Sequence, residues 1–171
     1  MATSEAGERT LVVLPTFNEA GSLAEVTARV LGANAGVDLL VIDDASPDGT
    51  GALADALAAA DPRISVVHRP AKLGLGTAYL LGFRRALEGG YRYVVEMDSD
   101  GSHLPEQLPA LRAAAEAGAG LVVGARWVAG GRISGWPRYR RWISRTGTRV
   151  ARVALKSRLH DITSGFRVID T

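Results

Sequence analysis

Two carboxylates set one residue apart, Asp98 and Asp100, close the apolar run Val94-Val95-Glu96-Met97. If that run is a buried strand, the chain leaves the sheet at Asp98, and a turn lets both side chains converge on one point. Two converging hard oxygens suit a divalent cation, Mg²⁺ or Mn²⁺, that can bridge to a diphosphate. Asp, Ser and Gly after a strand are also ordinary turn formers, so D-x-D by itself leaves both readings open. Its company matters more. Glu19 stands in Pro15-Thr16-Phe17-Asn18-Glu19, and Asp43, Asp44 and Asp48 stand in Asp43-Asp44-Ala45-Ser46-Pro47-Asp48-Gly49-Thr50. Three acidic loops on one edge point to a polar pocket rather than to three unrelated turns. His103 and His160 lie near these motifs, but lone histidines beside a cleft are more often structural, and they receive no catalytic part.

The elements that must position these residues are legible as short apolar runs. Leu11-Val12-Val13-Leu14, Leu39-Leu40-Val41-Ile42, Ile64-Ser65-Val66-Val67, Tyr93 to Met97 and Leu121-Val122-Val123 are rich in β-branched residues and lack strict alternation. Strands buried on both faces read in this way. Between the first two, Ser22-x-x-Glu25 has capping-box form, with Leu23, Val26 and Val30 at helical spacing. Residues 51–60, 74–88 and 104–117 also predict helices. Strand and helix in alternation give a three-layer α/β domain with a mainly parallel central sheet. In such sheets ligands bind outside the carboxyl ends of the strands, where the acidic loops fall.

Composition bounds the remaining possibilities. With 171 residues, 47% hydrophobic and 22% charged, the chain can bury a core, and one domain over 1–171 is the default, with 1–9 a flexible N-terminus. There is no cysteine, which removes disulfides and thiolate metal sites. No apolar run approaches the roughly 20 residues needed to span a bilayer. The first residues, MATSEAGER, lack an apolar h-region, so the expectation is a cytoplasmic chain without a signal peptide. The net charge of +2 hides an asymmetry: residues 126–158 hold 10 Lys and Arg and no acid, whereas residues 1–125 hold 9 Lys and Arg against 16 Asp and Glu. A basic segment on an acidic body can serve nucleic acid, a membrane surface or a phosphorylated ligand.

The run Leu73-Gly74-Leu75-Gly76-Thr77-Ala78-Tyr79 invites a dinucleotide-fold comparison that fails. The third glycine of G-x-G-x-x-G falls at Tyr79, and the run follows the third strand instead of the first. A tight loop starting a helix is the plainer account, and no Walker A loop is present.

Taken together, PTFNE, VIDDASPDGT, GLGTA, MDSDGSH, VVGARWVAGG, WPRYRRWISR and DITSGF, in this order and spacing, closely resemble the polyprenol (dolichol) phosphate mannosyltransferases of the inverting GT-A glycosyltransferase family 2. PTFNE and D-x-D mark the broad family; ASPDGT and WPRYRRWISR mark the lipid-phosphate branch. The resemblance implies a GT-A, Rossmann-like three-layer sandwich and Mg²⁺ or Mn²⁺ as cofactor. It places Pro15, Phe17, Glu19, Ile42, Asp44, Asp98 and Ser99 around a nucleotide sugar, with Asp44 on the base or ribose. Phe17 stands where tyrosine is common, so stacking survives while a phenolic hydrogen bond is lost. Asp98 and Asp100 match metal ligands, and Ser102 lies where many relatives carry Gln as a third ligand. Asp100, Arg126 and Arg140 match the catalytic machinery, and Arg126, Arg140 and Ser144 the acceptor-phosphate site. Asp43 is expected to orient its loop.

The resemblance also gives the basic segment a use. Trp136-Pro137 precede an expected helical stretch over 138–156, in which Trp142, Ile143, Val150 and Val153 alternate with arginines. An amphipathic basic helix can lie on an anionic bilayer, and a solvated face over a core stripe is the alternative. The implied partners are GDP-mannose, a polyprenyl phosphate in the membrane and a membrane-anchoring protein, with no nucleic acid, at the cytoplasmic face of the membrane. The implied reaction is metal-dependent transfer of mannose to the lipid phosphate with inversion. Two other readings stay open: transfer of glucose or another sugar, and a non-catalytic basic module binding membrane or nucleic acid. Chains of this family continue past TSGF, so this one is expected to lack its C-terminal part, with Arg167 as a partial substitute for the missing basic stretch.

Overall fold

The computed structural model of the chain describes residues 9–125, Thr146, Asp161 and 164–171. Six strands form one sheet: β1 Thr10–Thr16, β2 Val37–Asp43, β3 Ile64–His68, β4 Tyr93–Glu96, β5 Leu121–Val123 and β6 Arg167–Asp170, in the order β3-β2-β1-β4-β6-β5. β1 pairs in parallel with β2 and β4, and β2 with β3; β6 runs antiparallel to both β4 and β5. The helices are α1 Leu23–Ala33, α2 Thr50–Ala60, α3 Leu75–Glu88 and α4 Leu108–Glu116. A 3-10 turn, Pro105–Gln107, precedes α4, where the longer helix 104–117 was expected; Pro109 in the first turn of α4 has no amide to continue an earlier one.

The layers explain why the strands read as unbroken apolar runs. Val12, Leu14, Leu39 and Val41 face α1, α2 and α4, while Leu11, Val13, Leu40 and Ile42 face α3. Each fully buried Val, Leu or Ile contributes about 1.5–3 kcal/mol relative to exposure. α3 buries a stripe of Ala78, Tyr79, Gly82 and Ala86. A Cβ at Gly82 would lie 2.6 Å from Val13 Cγ1, so glycine lets the helix seat directly on β1. The α1 start departs from the capping box: the Ser22 hydroxyl makes no cap bond and donates to Glu19 Oε2 at 2.7 Å. A carboxylate within reach accepts the hydroxyl's hydrogen bond, and the amides of Ser22 and Leu23 bond instead to the Glu19 carbonyl.

β6 was not foreseen. Arg167-Val168-Ile169-Asp170 holds only one fully buried apolar side chain, Val168, and its pairing with β4 sets Arg167 opposite Glu96. Among the described residues, no helix is long and apolar enough to cross a membrane.

Candidate active site

The strand directions bring the loops after β1, β2, β3 and β4 to one edge, together with the start of β6 and the end of β5. Strand order reverses between β1, which leads to β2 and β3 on one side, and β4 on the other. The crevice at such a switch point is the usual ligand site of an open α/β sheet. Here Asp98-Ser99-Asp100 follows β4 and Pro15-Thr16-Phe17 closes β1. Ser99 spans the crevice: it is buried, and its hydroxyl donates to the Pro15 carbonyl at 2.8 Å. That bond ties the D-x-D turn to the end of β1.

The two carboxylates differ in setting. Asp100 is exposed, and its Oδ1 accepts the Ser102 amide at 2.9 Å, which closes the turn; Ser102 itself is exposed. Asp98 keeps 35% of its side chain exposed. Its Oδ1 lies 3.4 Å from the Tyr79 hydroxyl, its amide donates to His103 Nδ1 at 3.2 Å, and His103 Nε2 lies 3.6 Å from Oδ2. Burial, and then the charge of Asp98, push the Tyr79 phenol well up, so it stays a protonated donor at that carboxylate. Behind Asp98 lies Gly165: a Cβ there would sit 3.0 Å from Asp98 Oδ2 and 3.2 Å from Oδ1.

These features fit a hard divalent cation. The donors are carboxylate oxygens on a solvent-facing turn, no Lys or Arg among the described residues pairs with either, and the glycine leaves open the space beside Asp98. Among the described residues no cluster of three acidic, His or Cys side chains forms. Asp98 and Asp100 are the described side chains that would hold such an ion, and a small hard cation such as Mg²⁺ commonly completes its shell with water and phosphate oxygens.

On the β1–β2 side, the PTFNE and ASPDGT segments are lashed together. The amides of Asn18, Glu19 and Ala20 donate to Ser46 Oγ, Thr50 Oγ1 and Asp48 Oδ2 at 3.0, 2.9 and 3.1 Å. Asp48 Oδ1 also takes the Thr50 hydroxyl at 2.6 Å, and hydrogen bonds from Thr50 hold its carboxyl below the ordinary range. Asn18 and Ala45 both sit at positive φ, 62° and 55°, a conformation that these bonds maintain. Asp43 orients its loop as expected: buried, it accepts Ser46 Oγ at 2.5 Å and Thr16 Oγ1 at 3.2 Å. Phe17 lies half-buried with the Lys72 ammonium 3.9 Å from its ring centroid, so one ring face carries a cation.

Two of the expected nucleotide contacts, Ile42 and Asp44, are buried. Ile42 is fully buried in the core against α3. As the penultimate residue of an interior strand, it points its side chain into that layer, and its carbonyl lies 3.4 Å from the Thr16 hydroxyl that donates to it. Asp44 is buried and bonded to Arg69 Nε, and its second oxygen accepts the Leu73 amide at 3.2 Å. Arg69, buried at the end of β3, continues to Thr77 Oγ1 at 2.6 Å and the Gly74 carbonyl at 3.1 Å, so one guanidinium fixes both Asp44 and the GLGT loop. Sequence reasoning missed Arg69. Its signal was available: it follows β3 at the same edge where the acids follow β1, β2 and β4.

At the β6 side, Arg167 Nη1 pairs with Glu96 Oε2 at 3.2 Å and Arg167 Nε donates to the Ser164 carbonyl at 2.9 Å, so its guanidinium is engaged inside the fold. Burial pushes the Glu96 carboxyl up, with Arg167 opposing. Gly124 and Ala125 leave β5 at this same edge, and Gly124 N bonds the Phe166 carbonyl at 2.8 Å. Arg126, Arg140, Ser144 and the 136–156 stretch lie outside the described residues.

Comparison with known proteins agrees with this geometry. The chain is 51% identical over 167 residues to a polyprenol monophosphomannose synthase of Mycolicibacterium smegmatis, covering 97% of the chain and 63% of that protein. It is 51% identical over 159 residues to an undecaprenyl-phosphate mannosyltransferase of Micrococcus luteus, covering 93% and 65%. It thus spans somewhat less than two thirds of the length of these relatives. Among solved structures, a glucosyl-3-phosphoglycerate synthase of Mycobacterium tuberculosis in complex with uridine diphosphate superposes with a TM-score of 0.65 at 27% identity, over 97% of the chain and 58% of that structure. A mannosyltransferase from Pyrobaculum calidifontis, solved with GDP-mannose and Mn²⁺, gives a TM-score of 0.62 at 21% identity, over 95% and 44%. These likenesses match the GT-A arrangement of a mostly parallel central sheet. The glycosyl transferase family 2 model matches residues 11–171, which is nearly the whole chain, and the chain belongs to that family.

Proposed function

We propose that the chain is the catalytic domain of a polyprenyl-phosphate mannosyltransferase, moving mannose from GDP-mannose to a polyprenyl monophosphate with inversion. The observation that carries this reading is the 51% identity, across nearly the whole chain, to two proteins named for mannose transfer to a polyprenyl phosphate. The site geometry supports it: a D-x-D pair is latched across the β1–β4 crevice with no competing cation among the described residues.

In this reading Phe17 stacks on the base, beside the ammonium of Lys72. Glu19 and the Asp44–Arg69 pair shape the nucleoside end, and Asp98 and Asp100 hold Mg²⁺ or Mn²⁺ against the diphosphate. When bound, the ion neutralises charge that builds on the departing diphosphate. The acceptor phosphate has a second pKa near ~6 and is already largely anionic at neutral pH, so no general base is assigned. What the chain must do is bring two anions together. Arg126, Arg140 and Ser144 perform this by charge-assisted hydrogen bonds to the acceptor phosphate. The basic stretch 136–156 rests on the cytoplasmic face of the membrane, where the lipid tail stays embedded. A membrane-anchoring partner protein fits the same arrangement.

A donor panel tests this proposal. GDP-mannose, GDP-glucose, UDP-glucose and UDP-N-acetylglucosamine are each offered with one polyprenyl phosphate and Mg²⁺ or Mn²⁺. Preferential transfer from GDP-mannose, with a β-linked lipid product, is expected. Preference for a different donor overturns the sugar assignment.

A further inference from the structure

His103 was set aside as an ordinary structural histidine, and the Ser-Gly-Phe segment before β6 had no role in the chemistry. The structure joins them at Asp98. His103 Nδ1 accepts the Asp98 amide at 3.2 Å. A backbone amide can only donate, so Nδ1 is the unprotonated nitrogen and the ring proton sits on Nε2. Nε2 lies 3.6 Å from Asp98 Oδ2, beyond a hydrogen bond but close enough for the ring's partial charge to act on the carboxylate. The ring itself is held: it stacks on Phe166 with centroids 5.4 Å apart and planes at 15°, and its side chain is only 13% exposed. Phe166 is buried and anchored by its amide to Ser164 Oγ at 3.3 Å, while Ser164 Oγ donates to the Gly124 carbonyl at 2.7 Å. Between them, Gly165 lets both the carboxylate and the imidazole approach, since a Cβ there would meet Asp98 Oδ2 at 3.0 Å and His103 Cε1 at 3.3 Å.

We infer that His103 is a positioning residue that fixes the Asp98 backbone and carboxylate for cation binding, and that Ser164-Gly165-Phe166 is the clamp holding its ring. Asp98 is itself partly exposed just beyond the end of β4, where a free turn would let the carboxylate wander. One imidazole ties its amide down from one side while the Tyr79 hydroxyl faces Oδ1 from the other. Groups of this kind behind metal-ligating carboxylates typically change metal affinity by about 10–100-fold. The inference explains why His103 follows the D-x-D turn and why a glycine stands at 165. It rests on the reading of Asp98 and Asp100 as cation ligands.

The test is Mn²⁺ binding to the chain in the presence of GDP, followed by electron paramagnetic resonance, with thermal unfolding measured alongside. His103→Phe keeps an aromatic ring to stack on Phe166 and loses the acceptor; His103→Asn places its amide oxygen where Nδ1 stood and loses the ring. Phe is expected to keep the melting temperature within a few degrees while weakening Mn²⁺ binding at least about tenfold. Asn is expected to retain binding within about threefold even if it melts lower, because the acceptor remains. Mn²⁺ affinity following melting temperature in the two variants, so that Asn binds worse than Phe, overturns the inference and makes His103 a packing residue. Asp98→Asn separates the two levels of the argument. If it binds Mn²⁺ as wild type does, the cation-ligand reading itself fails; if it loses Mn²⁺ while His103→Phe does not, only the positioning role fails.

Discussion

Replacing Arg69 by Met probes the part of the rim that was hardest to foresee. The side chain is buried, as is its partner Asp44, and the guanidinium also donates to Thr77 Oγ1 at 2.6 Å and the Gly74 carbonyl at 3.1 Å. Methionine fills most of the volume but leaves the Asp44 carboxylate buried with one remaining bond, from the Leu73 amide at 3.2 Å. Removing one member of a buried ion pair costs about 3–5 kcal/mol because the other charge stays uncompensated. At roughly 2–4 °C per kcal/mol for a chain of this size, the melting temperature is expected to fall by about 6–20 °C. Urea unfolding followed by circular dichroism measures the same loss as a lower midpoint with an unchanged slope. The double variant Asp44→Asn/Arg69→Met leaves no buried charge and is expected to be more stable than Arg69→Met alone. A loss under about 1 kcal/mol in the single variant, or a double variant that shows the sum of both single losses, refutes the claim that Asp44 depends on Arg69.

Three further outcomes follow from the geometry. Asp100→Ala is expected to abolish transfer and leave unfolding unchanged, since its side chain is exposed and, among the described residues, bonds only the Ser102 amide; steady-state transfer together with thermal unfolding checks both halves. Arg140→Ala is expected to raise the KM for polyprenyl phosphate at least about tenfold with little change in GDP binding, as loss of a charge-assisted phosphate contact should. Glu96→Gln tests a pH dependence. Burial raises the folded-state pKa of Glu96, so the stability it contributes is present at acidic pH and is lost as pH rises through that raised value. The melting temperature of Glu96→Gln relative to wild type is therefore expected to increase from about pH 4 to about pH 7, read by calorimetry at both.

Much of the fold was legible because β1, β2 and β4 are buried on both faces, which writes uninterrupted Val, Leu and Ile into the chain, and because each is followed by turn chemistry. Asp98, Asp100, Glu19 and Asp44 could be assigned to one edge by that pattern alone. Other features could not be read in this way. β6 escaped because Arg167-Val168-Ile169-Asp170 has one buried residue and draws its strand character from pairing with β4. The capping box at Ser22 failed because a competing carboxylate, Glu19, is adjacent only once the chain has turned. Arg69 and His103 act through partners 25 and 5 residues away, and neither link has a local signature. The ASPDGT stretch served as a family mark, yet Ser46, Asp48 and Thr50 do physical work there as acceptors for three successive amides of the first loop.

The proposal that this chain carries the chemistry of a polyprenyl-phosphate mannosyltransferase stands or falls most directly on one measurement. Labelled GDP-mannose is incubated with the chain and polyprenyl phosphate in vesicles, with Mg²⁺ or Mn²⁺, and again with the ions removed by chelation. Label passing into the lipid phase as a mannosyl phosphate, dependent on the ion and lost in Asp100→Ala, is the predicted result. Transfer that persists after chelation, or a chain that binds GDP and the ion yet leaves the lipid unlabelled, contradicts it.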